Sequence, residues 1–277
     1  VRKATGDLQK ANNRLKQLDL LKNDFVSVAA HELRTPMTAI RSYVWMALHR
    51  SDIKLSQKLE RYLYRILVST ERLINLVNDM LNVSRIEAGK IEINPQSFNI
   101  VSLVKEVIEE VRAKADEKKL QLIVFEHQLP PMFADPDKVH QILLNLIGNS
   151  LKFSYPGGNI TVDFLVNEAM IEVSIKDQGS GILKEDQTKL FHKFSRLDNS
   201  YTALLTSSGS GTGLGLYISK SLIDLMKGTI RVQSKGLDSG AIFTFALPVA
   251  SKEVLANADK FKVTPEDDIK LLEPAAI

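Results

Sequence analysis

Residues 137–153, DKVHQILLNLIGNSLKF, are the most informative segment of this sequence. It is predicted as a helix, and it carries Asn145 and Asn149 one turn apart on the same helix face. Asparagine is a poor helix former, so two of them set among leucine and isoleucine favour a functional role over an ordinary polar face. Neutral amide oxygens suit a hard cation that also binds phosphate oxygens and water, and Lys152 could contact a phosphate.

Short β-type runs alternate with helical stretches on both sides of this helix. Strands are predicted at residues 91–93, 120–125, 160–166, 170–176, 229–234 and 241–247, and helices at 101–118, 137–153 and 213–226. This pattern predicts a mixed α/β sandwich. The residues after it, 250–277, are polar with scattered apolar positions and are predicted as a tail or a linker.

The first ninety residues are helical in pattern. Apolar residues from Leu8 to Phe25 follow the alternating three- and four-residue steps of a coiled coil. A polar break at residues 50–54 then separates two helices, which predicts a hairpin. A hairpin cannot cover its own apolar stripe, and pairing two hairpins into a four-helix bundle is the usual solution. We therefore expect a homodimer through residues 8–88.

The composition is that of an ordinary globular protein, with 44% hydrophobic and 25% charged residues in a chain of 277. Lysine and arginine outnumber aspartate and glutamate by only 36 to 33, so we expect no nucleic-acid partner. The absence of cysteine excludes disulfides and cysteine-ligated metals. No apolar run reaches the roughly 18 residues of a membrane-spanning helix, so we expect no membrane contact within this stretch and a cytoplasmic location. Because Val1 lies inside a helical pattern, we expect a piece of a longer protein, which a segment further upstream could anchor in a membrane.

A second constellation is HELRTP, residues 31–36, in the first predicted helix. Continuing the coiled-coil register places His31 toward solvent, where a histidine has little structural role. Glu32 follows it and could hold the imidazole tautomer or accept its proton. Thr35 lies one turn further on roughly the same face, and Pro36 should bend or loosen the helix. The plainer alternative is a surface histidine beside a surface acid.

A third constellation is DQGSGI, residues 177–182, which follows the predicted strand 170–176. The carboxylate of Asp177 at a strand end can accept a hydrogen bond from an exocyclic amine such as that of adenine. Gly179 and Gly181 let the backbone approach a base closely. Alone, this pattern is more often a simple turn.

A fourth constellation is GSGTGLGL, residues 209–216, which runs into a predicted helix. A glycine-rich turn at a helix N-terminus presents free N–H groups and the positive end of the helix dipole to an anion. The pattern fits neither the Rossmann nor the Walker fingerprint, and a flexible hinge is the alternative. The candidate ligand contacts in the turn are Gly211, Thr212, Gly213, Leu214 and Gly215.

A long segment, residues 183–208, separates the third and fourth constellations. A loop of this length is either a functional lid or disordered. It contains Phe191 and Phe194, and its cations Lys193 and Arg196 are candidate ligand contacts.

In this order, the motifs resemble those of the sensor histidine kinases of two-component signalling, over about residues 8–249. The resemblance implies that His31 is the phosphoacceptor, that Asn149 binds Mg²⁺, and that Asp177 binds the adenine amine of ATP. Phe191 and Phe194 match the lid motif, although His192 and Lys193 stand where the family often has an acidic residue. The other implied nucleotide contacts are Asn145, Lys152, Phe153, Gly179, Gly181 and the glycine-rich turn.

The resemblance also implies the architecture. It is an α+β multidomain chain, in which an antiparallel helical hairpin forms a dimeric four-helix bundle and an α/β sandwich shared with gyrase, heat-shock chaperones and MutL binds ATP. The implied parts are a signalling coiled-coil helix (1–24), a dimerisation and phosphotransfer domain (25–90), a linker (91–98), an ATP-binding domain (99–249) and a tail or linker (250–277).

The implied reaction is Mg-ATP-dependent autophosphorylation of His31, with Glu32 orienting the imidazole or accepting its proton. The phosphoryl group then passes to an aspartate of a response-regulator receiver domain. Thr35 stands where the family has a polar residue that orients water, which implies a second, phosphatase activity. Residues 89–98 and the bend at Pro36 are the candidate hinges between the domains.

Three alternatives remain open at this point. One is a dimer that senses ATP without phosphorylating itself, although an intact His31 and Asn149 argue against a degenerate site. A second is a gyrase- or MutL-type ATPase, which would place a glutamate base where this chain has Asn145. A third is a dimeric scaffold, which leaves the ATP motifs unexplained.

Overall fold

The chain divides into two compact units, Val1–Lys90 and Ile91–Ile277, and each is described by itself. The computed structural model describes residues 14, 26, 28–30, 32–50, 55–195 and 212–263. None of the helices in these ranges has the length and apolar character that a membrane-spanning helix requires.

The described part of the first unit contains the helices α1 and α2. Helix α1 includes residues 28–30 and 32–49 and continues across Pro36, and helix α2 is Gln57–Glu87. The side chain of Ser56 caps α2, because its Oγ accepts a hydrogen bond from the backbone N–H of Leu59 at 3.3 Å. Beyond the other end of α2, Gly89 has a positive φ of 62°, a conformation that glycine adopts readily after a helix.

The two helices form the predicted antiparallel hairpin. Ala30 in α1 belongs to a buried cluster with Val77 and Leu81, which lie late in α2. One turn further along α1, Nη2 of Arg34 donates a hydrogen bond to Oδ1 of Asn78 at 2.7 Å. Residues early in one helix therefore contact residues late in the other. The predicted coiled-coil helix, apart from one helical residue at position 14, lies outside the described residues.

The second unit is built on a mixed five-stranded sheet with the order β2-β4-β5-β7-β6. β2 and β4 are parallel, and the other neighbours in this sheet are antiparallel. A separate antiparallel pair joins β1 to β3. The strands are β1 (Gln96–Phe98), β2 (Gln121–Val124), β3 (Met132–Ala134), β4 (Asn159–Asn167), β5 (Met170–Lys176), β6 (Thr229–Gln233) and β7 (Ile242–Pro248).

Helices pack against the sheet to form the α/β sandwich. The helices are α3 (Ile100–Glu117), α4 (Pro136–Phe153), the short α5 (Lys184–Gln187), α6 (Gly215–Leu225), the short α7 (Lys252–Ala256) and a 3₁₀ helix (Ala258–Phe261). Helix α4 contacts α3, α6, β4 and β5. The alternate residues Ile171, Val173 and Ile175 of β5 are buried, as are Leu143 and Leu146 of α4, so the helices and the sheet share one core.

For most elements of the second unit, the predicted ends lie within two residues of the observed ends. The predicted strand 170–176 coincides with β5. The prediction of a strand at residues 91–93 is wrong, because Ile93 forms an isolated bridge with Val263 and these residues form no strand. The short strands β1 and β3, and the short helices α5 and α7, were not predicted from the sequence.

Residues 91–98, predicted as a linker, are instead packed within the second unit. Ile93 is 1% exposed and exchanges backbone hydrogen bonds of 3.1 and 3.3 Å with Val263. The described part of the predicted tail also packs there, since the ring of Phe261 meets Phe133 edge-on at 5.5 Å between centroids. The second unit therefore begins directly after Lys90 and extends at least to Val263.

Candidate functional site

Helix α4, which carries the two predicted asparagines, is fixed at its start by Asp135. Its Oδ1 accepts hydrogen bonds from the backbone N–H groups of Asp137 and Lys138 at 3.0 and 3.2 Å. Its Oδ2 accepts one from the backbone N–H of Asn94 at 2.9 Å. Pro136 opens the helix, where its missing N–H costs nothing. One buried carboxylate therefore holds both the start of α4 and the segment that follows the first unit.

The end of α4 is fixed by Lys118, which lies just after α3. Its Nζ donates to the carbonyl oxygens of Leu151 and Lys152 at 2.8 and 2.9 Å. A cation at the C-terminal end of a helix is favourable, because the free carbonyls carry partial negative charge. Partial burial lowers the pKa of Lys118. With both ends held, α4 is a rigid support for the side chains between them.

Asn145 lies at the contact between α4 and α6. Its Nδ2 donates a hydrogen bond to Oγ of Ser219 at 2.8 Å. Its Oδ1 lies against Gly215, where the Cβ of any other residue would overlap this oxygen. The glycine at the start of α6 is therefore required for close packing of the two helices.

Asn149 lies one turn further along α4 and is half-buried. Its side chain makes no hydrogen bond to another described residue, so its amide oxygen is available to a ligand. Nζ of Lys152 lies 4.8 Å from the ring centroid of Phe153, a cation–π contact at the end of the same helix. This arrangement brings an amide oxygen, a cation and an aromatic ring to the last two turns of α4.

The described ranges contain no group of three or more histidine, aspartate or glutamate side chains that could hold a metal ion. Asn149 would offer a cation one neutral amide oxygen, and phosphate and water oxygens would supply the other ligands. That donor set fits Mg²⁺, which usually keeps several waters and binds substrate phosphates rather than an all-protein cage.

Asp177 lies directly after β5 and is 5% exposed. Its Oδ1 accepts hydrogen bonds from the backbone N–H groups of Gly179 and Ala241 at 3.1 and 3.0 Å. Its Oδ2 has only a long contact, 3.5 Å, with Oγ of Ser150. Burial raises the pKa of Asp177, and the bonds to Ala241, Gly179 and Ser150 oppose that rise. One carboxylate oxygen is thus oriented by the backbone, and the other can accept a hydrogen bond from a ligand.

The turn after Asp177 is bound to the end of α4. The backbone N–H of Ser180 donates to the carbonyl oxygen of Phe153 at 3.2 Å. A Cβ atom at Gly179 would overlap that same carbonyl, so only glycine permits this approach. The predicted base-binding turn and the predicted phosphate-binding helix therefore lie side by side.

Ser154, at the end of α4, faces the Gly179 turn across an isolated bridge. Its side chain is buried, and its Oγ has no hydrogen-bond partner among the described residues. Buried polar atoms are nearly always hydrogen-bonded, so an orphan hydroxyl indicates a place that a ligand or a water completes.

The beginning of α6 forms the third side of the site. The N–H of Leu214 donates to Oγ1 of Thr212 at 3.2 Å, and the fully buried Leu214 anchors the turn. Gly213 has a positive φ of 74°, which glycine adopts without strain. The free N–H groups of the first turn of α6 suit an anion.

The predicted lid contributes one described cation to this region. Nζ of Lys193 lies 5.1 Å from the ring centroid of Tyr217 on α6. Phe191 is half-buried and Phe194 is 60% exposed. Of the predicted nucleotide contacts, Arg196 and Gly211 lie outside the described residues.

The phosphoacceptor motif lies in the first unit, and His31 itself lies outside the described residues. Its neighbours Glu32 and Thr35 are helical and exposed, in line with the predicted solvent-facing side of α1. Ala30 is buried against α2. Helix α1 therefore exposes a carboxylate at Glu32 and a hydroxyl at Thr35.

Sequence reasoning missed three residues of the second unit that shape the site. Asp135 could have been found, since an aspartate before a proline is a helix-start signal. Ser219 follows Gly215 by one helical turn, but its partner Asn145 is known only once α4 and α6 are packed. Ser154 carries no signal of its own, because its unpaired hydroxyl is a consequence of tertiary burial.

Comparisons with known proteins give matches to two families. Residues 21–89 match the His Kinase A (phospho-acceptor) domain, and residues 134–251 match the histidine kinase-, DNA gyrase B- and HSP90-like ATPases. The chain is 35% identical to the sensor histidine kinase WalK of Bacillus subtilis over 244 residues, 86% of this chain and 38% of WalK.

Solved structures are also similar to this chain. Full-length ShkA in complex with AMPPNP is similar with a TM-score of 0.67 and 28% identity, over 82% of this chain and 46% of ShkA. The histidine kinase AdeS of Acinetobacter baumannii is similar with a TM-score of 0.55 and 26% identity, over 80% of this chain and 98% of that one. The chain spans less than two fifths of the length of curated relatives such as WalK.

Proposed function

Because this chain belongs to the histidine kinase family, we propose that it is the catalytic core of a sensor histidine kinase. It binds Mg-ATP in the second unit, transfers the γ-phosphoryl group to His31 in the first, and passes that group to an aspartate of a response regulator. The observation that carries the proposal is the meeting of three elements in the second unit: the Asn149 face of α4, the Asp177 turn and the glycine-rich start of α6.

The adenine base binds at Asp177. The backbone N–H groups of Gly179 and Ala241 fix one carboxylate oxygen, so the other accepts a hydrogen bond from the exocyclic amine. Phe153 at the end of α4 supplies an apolar surface for the base.

The triphosphate binds between α4 and the start of α6. Asn149 would hold Mg²⁺ through its amide oxygen, and the metal would supply positive charge beside the phosphates. Lys152 and the free N–H groups around Gly213 and Gly215 add positive charge, and Lys193 lies beside the same helix on Tyr217. Phosphoryl transfer depends mainly on such positioning and charge neutralisation.

The transfer step makes one bond and breaks one. A nitrogen of the neutral His31 imidazole attacks the γ-phosphorus, and the bond from phosphorus to the bridging oxygen breaks as ADP leaves. Glu32 orients the ring or accepts the proton that it loses. Thr35, four residues after His31 in the sequence, is exposed and can orient a water molecule, so we also propose a phosphatase activity toward the phosphorylated regulator.

The active form is a homodimer through residues 8–88. In α2, the apolar residues Leu59, Ile66, Leu73 and Met80 recur every seven residues, and each is between 41% and 45% exposed. A seven-residue apolar repeat is the pattern that helices use to pack into bundles. A second copy of the hairpin would cover this stripe.

Incubation with γ-labelled ATP and Mg²⁺ tests the function. We expect an acid-labile, alkali-stable label on the wild-type chain and none on His31→Gln. The matched control is His49→Gln, which removes an exposed histidine of α1 and should leave labelling unchanged. A wild-type chain that binds ATP but takes no label would instead support a sensor of ATP.

A further inference from the structure

Ser219 is a buried residue of α6, and its hydroxyl bonds to the side-chain amide of Asn145 on α4. The side chain is 1% exposed, and its Oγ accepts a hydrogen bond from Nδ2 of Asn145 at 2.8 Å. Its helical neighbours Ile218, Leu222 and Ile223 are buried and apolar. An alanine would fill this helical position without burying a polar group, so the need for a hydroxyl lies in its bond to Asn145.

Asn145 is held from two sides. The bond to Ser219 directs the amide nitrogen toward α6, and close packing sets the amide oxygen against the backbone of Gly215. A side chain held at both atoms cannot rotate without losing one of these contacts. It therefore sets the distance between α4 and the first turn of α6.

We propose that Ser219 is a positioning residue for the triphosphate. By holding Asn145, it keeps Asn149 on α4 and the first turn of α6 at the spacing that one Mg-triphosphate requires. Asn145 then acts as a strut between the two helices. This inference rests on the proposed function, because it needs one triphosphate to contact both helices.

The substitution Ser219→Ala separates this role from base binding. It removes the strut, while Asp177 keeps its bonds to Gly179 and Ala241, which do not involve α6. The affinity for Mg-ATP should fall roughly three- to tenfold, the range expected for one lost hydrogen bond. The affinity for adenosine, which has no phosphate, should stay within about twofold of wild type.

Thr244→Val is the matched control. Thr244 is 3% exposed, and its hydroxyl is bonded to Oγ of Ser174 at 2.9 Å within the sheet. The substitution removes a buried hydroxyl-mediated bond of the same kind from the same unit, away from α6. Mg-ATP affinity should not change in this variant.

A second substitution tests the path through Asn145. In a chain that already carries Asn145→Ala, the further change Ser219→Ala should weaken Mg-ATP binding less than twofold, because the partner is gone. If Ser219→Ala does not fold, as judged by its thermal unfolding, Ser219→Cys keeps the volume with a poor acceptor and carries the same expectation.

The outcomes are distinct. Calorimetric titrations of the full chain with Mg-ATP and with adenosine give them directly. If wild type binds neither, the proposed function fails. If wild type binds both and Ser219→Ala matches it for Mg-ATP, the positioning role is overturned. If Ser219→Ala loses Mg-ATP and adenosine alike, its effect is a general loss of structure, and the positioning role is again overturned.

Discussion

The two units of this chain differ in how far they bury their apolar side chains. In the α/β unit, Val104, Val139 and Phe245 are fully buried, and α4 closes a continuous core against the sheet. In the helical unit, Tyr43 and Tyr64 are 71% and 61% exposed, and α2 presents a repeating apolar stripe to solvent. One unit completes its core within a single chain, whereas the other needs a second copy to do so.

This difference predicts two kinds of stability. The α/β unit should unfold with a free energy that does not depend on protein concentration. The helical unit should gain stability with concentration, because association is coupled to burial of its stripe.

Leu73→Lys should have the largest effect, because it places a charge in the middle of the exposed stripe of α2. A buried lysine without a partner is costly, so the dimer should weaken by roughly a hundredfold or more. Sedimentation of the full chain measures this change. Glu71→Lys, on an exposed position of the same helix, is the control and should leave the dimer intact. A Leu73→Lys dimer as tight as wild type would contradict this use of the stripe.

Leu143→Ala should have the next largest effect, in the other unit. Leu143 is 0% exposed in α4, so its truncation leaves a cavity in the core. The free energy of unfolding of the α/β unit should fall by about 2–5 kcal/mol. Urea unfolding at two protein concentrations checks the contrast, since the loss should be the same at both. A loss that vanishes at high concentration would show that this core, too, depends on association.

Asp177→Asn should weaken ATP binding by about ten- to a hundredfold, because a charged acceptor in a buried site is lost. The free energy of unfolding of the ligand-free α/β unit should rise, because the substitution removes a charge that the buried position disfavours. Burial raises the pKa of Asp177, so its ionisation disfavours the folded state. Its contribution to stability is therefore complete below the ordinary aspartate pKa and is lost as the pH rises through the raised value.

Comparing the pH dependence of wild type with that of Asp177→Asn separates the titration of the Asp177 carboxyl from that of other groups. As the pH falls toward the raised pKa, wild type should lose ATP affinity, and the variant should not follow it over that range. Titrations of ATP across acidic pH, paired with urea unfolding, measure both effects. Parallel profiles for the two proteins would remove Asp177 from base binding.

Phe261→Ala should have the smallest effect, at the end of the described chain. The ring of Phe261 meets Phe133 edge-on, so its loss should cost about 1–2 kcal/mol of the stability of the α/β unit. Leu255→Ala is the control, since Leu255 is 45% exposed in α7. Equal, negligible changes in urea midpoint for both variants would show that residues beyond α7 do not belong to the folded unit.

Local patterns were enough to predict the elements that carry their own signal. The strand β5 could be placed because its β-type run is bounded by a turn on each side, and Asp177 was found because it joins a strand end to a glycine turn. The helix α4 was recognisable from its length, and the two asparagines within it indicated a functional role.

Contacts between distant segments could not be predicted in this way. Ile93 is buried because Val263 pairs with it, and nothing in the sequence near either residue indicates the other. The strut from Asn145 to Ser219 joins residues 74 positions apart, and it exists only because α4 and α6 pack together. Residues 91–98 and the described part of 250–277 likewise pack through contacts with distant residues, which neither segment indicates when it is read alone.

The most direct measurement is to locate the phosphate on the full chain after incubation with Mg-ATP. Peptide mapping by mass spectrometry at alkaline pH preserves phosphohistidine and identifies the modified residue. We expect a single phosphate on His31 in wild type and, at ATP concentrations well below saturation, labelling of this residue that is about ten- to a hundredfold slower in Asp177→Asn. A phosphate on another residue, or an unmodified His31 in a chain that binds Mg-ATP, would contradict the proposal that the second unit phosphorylates the first.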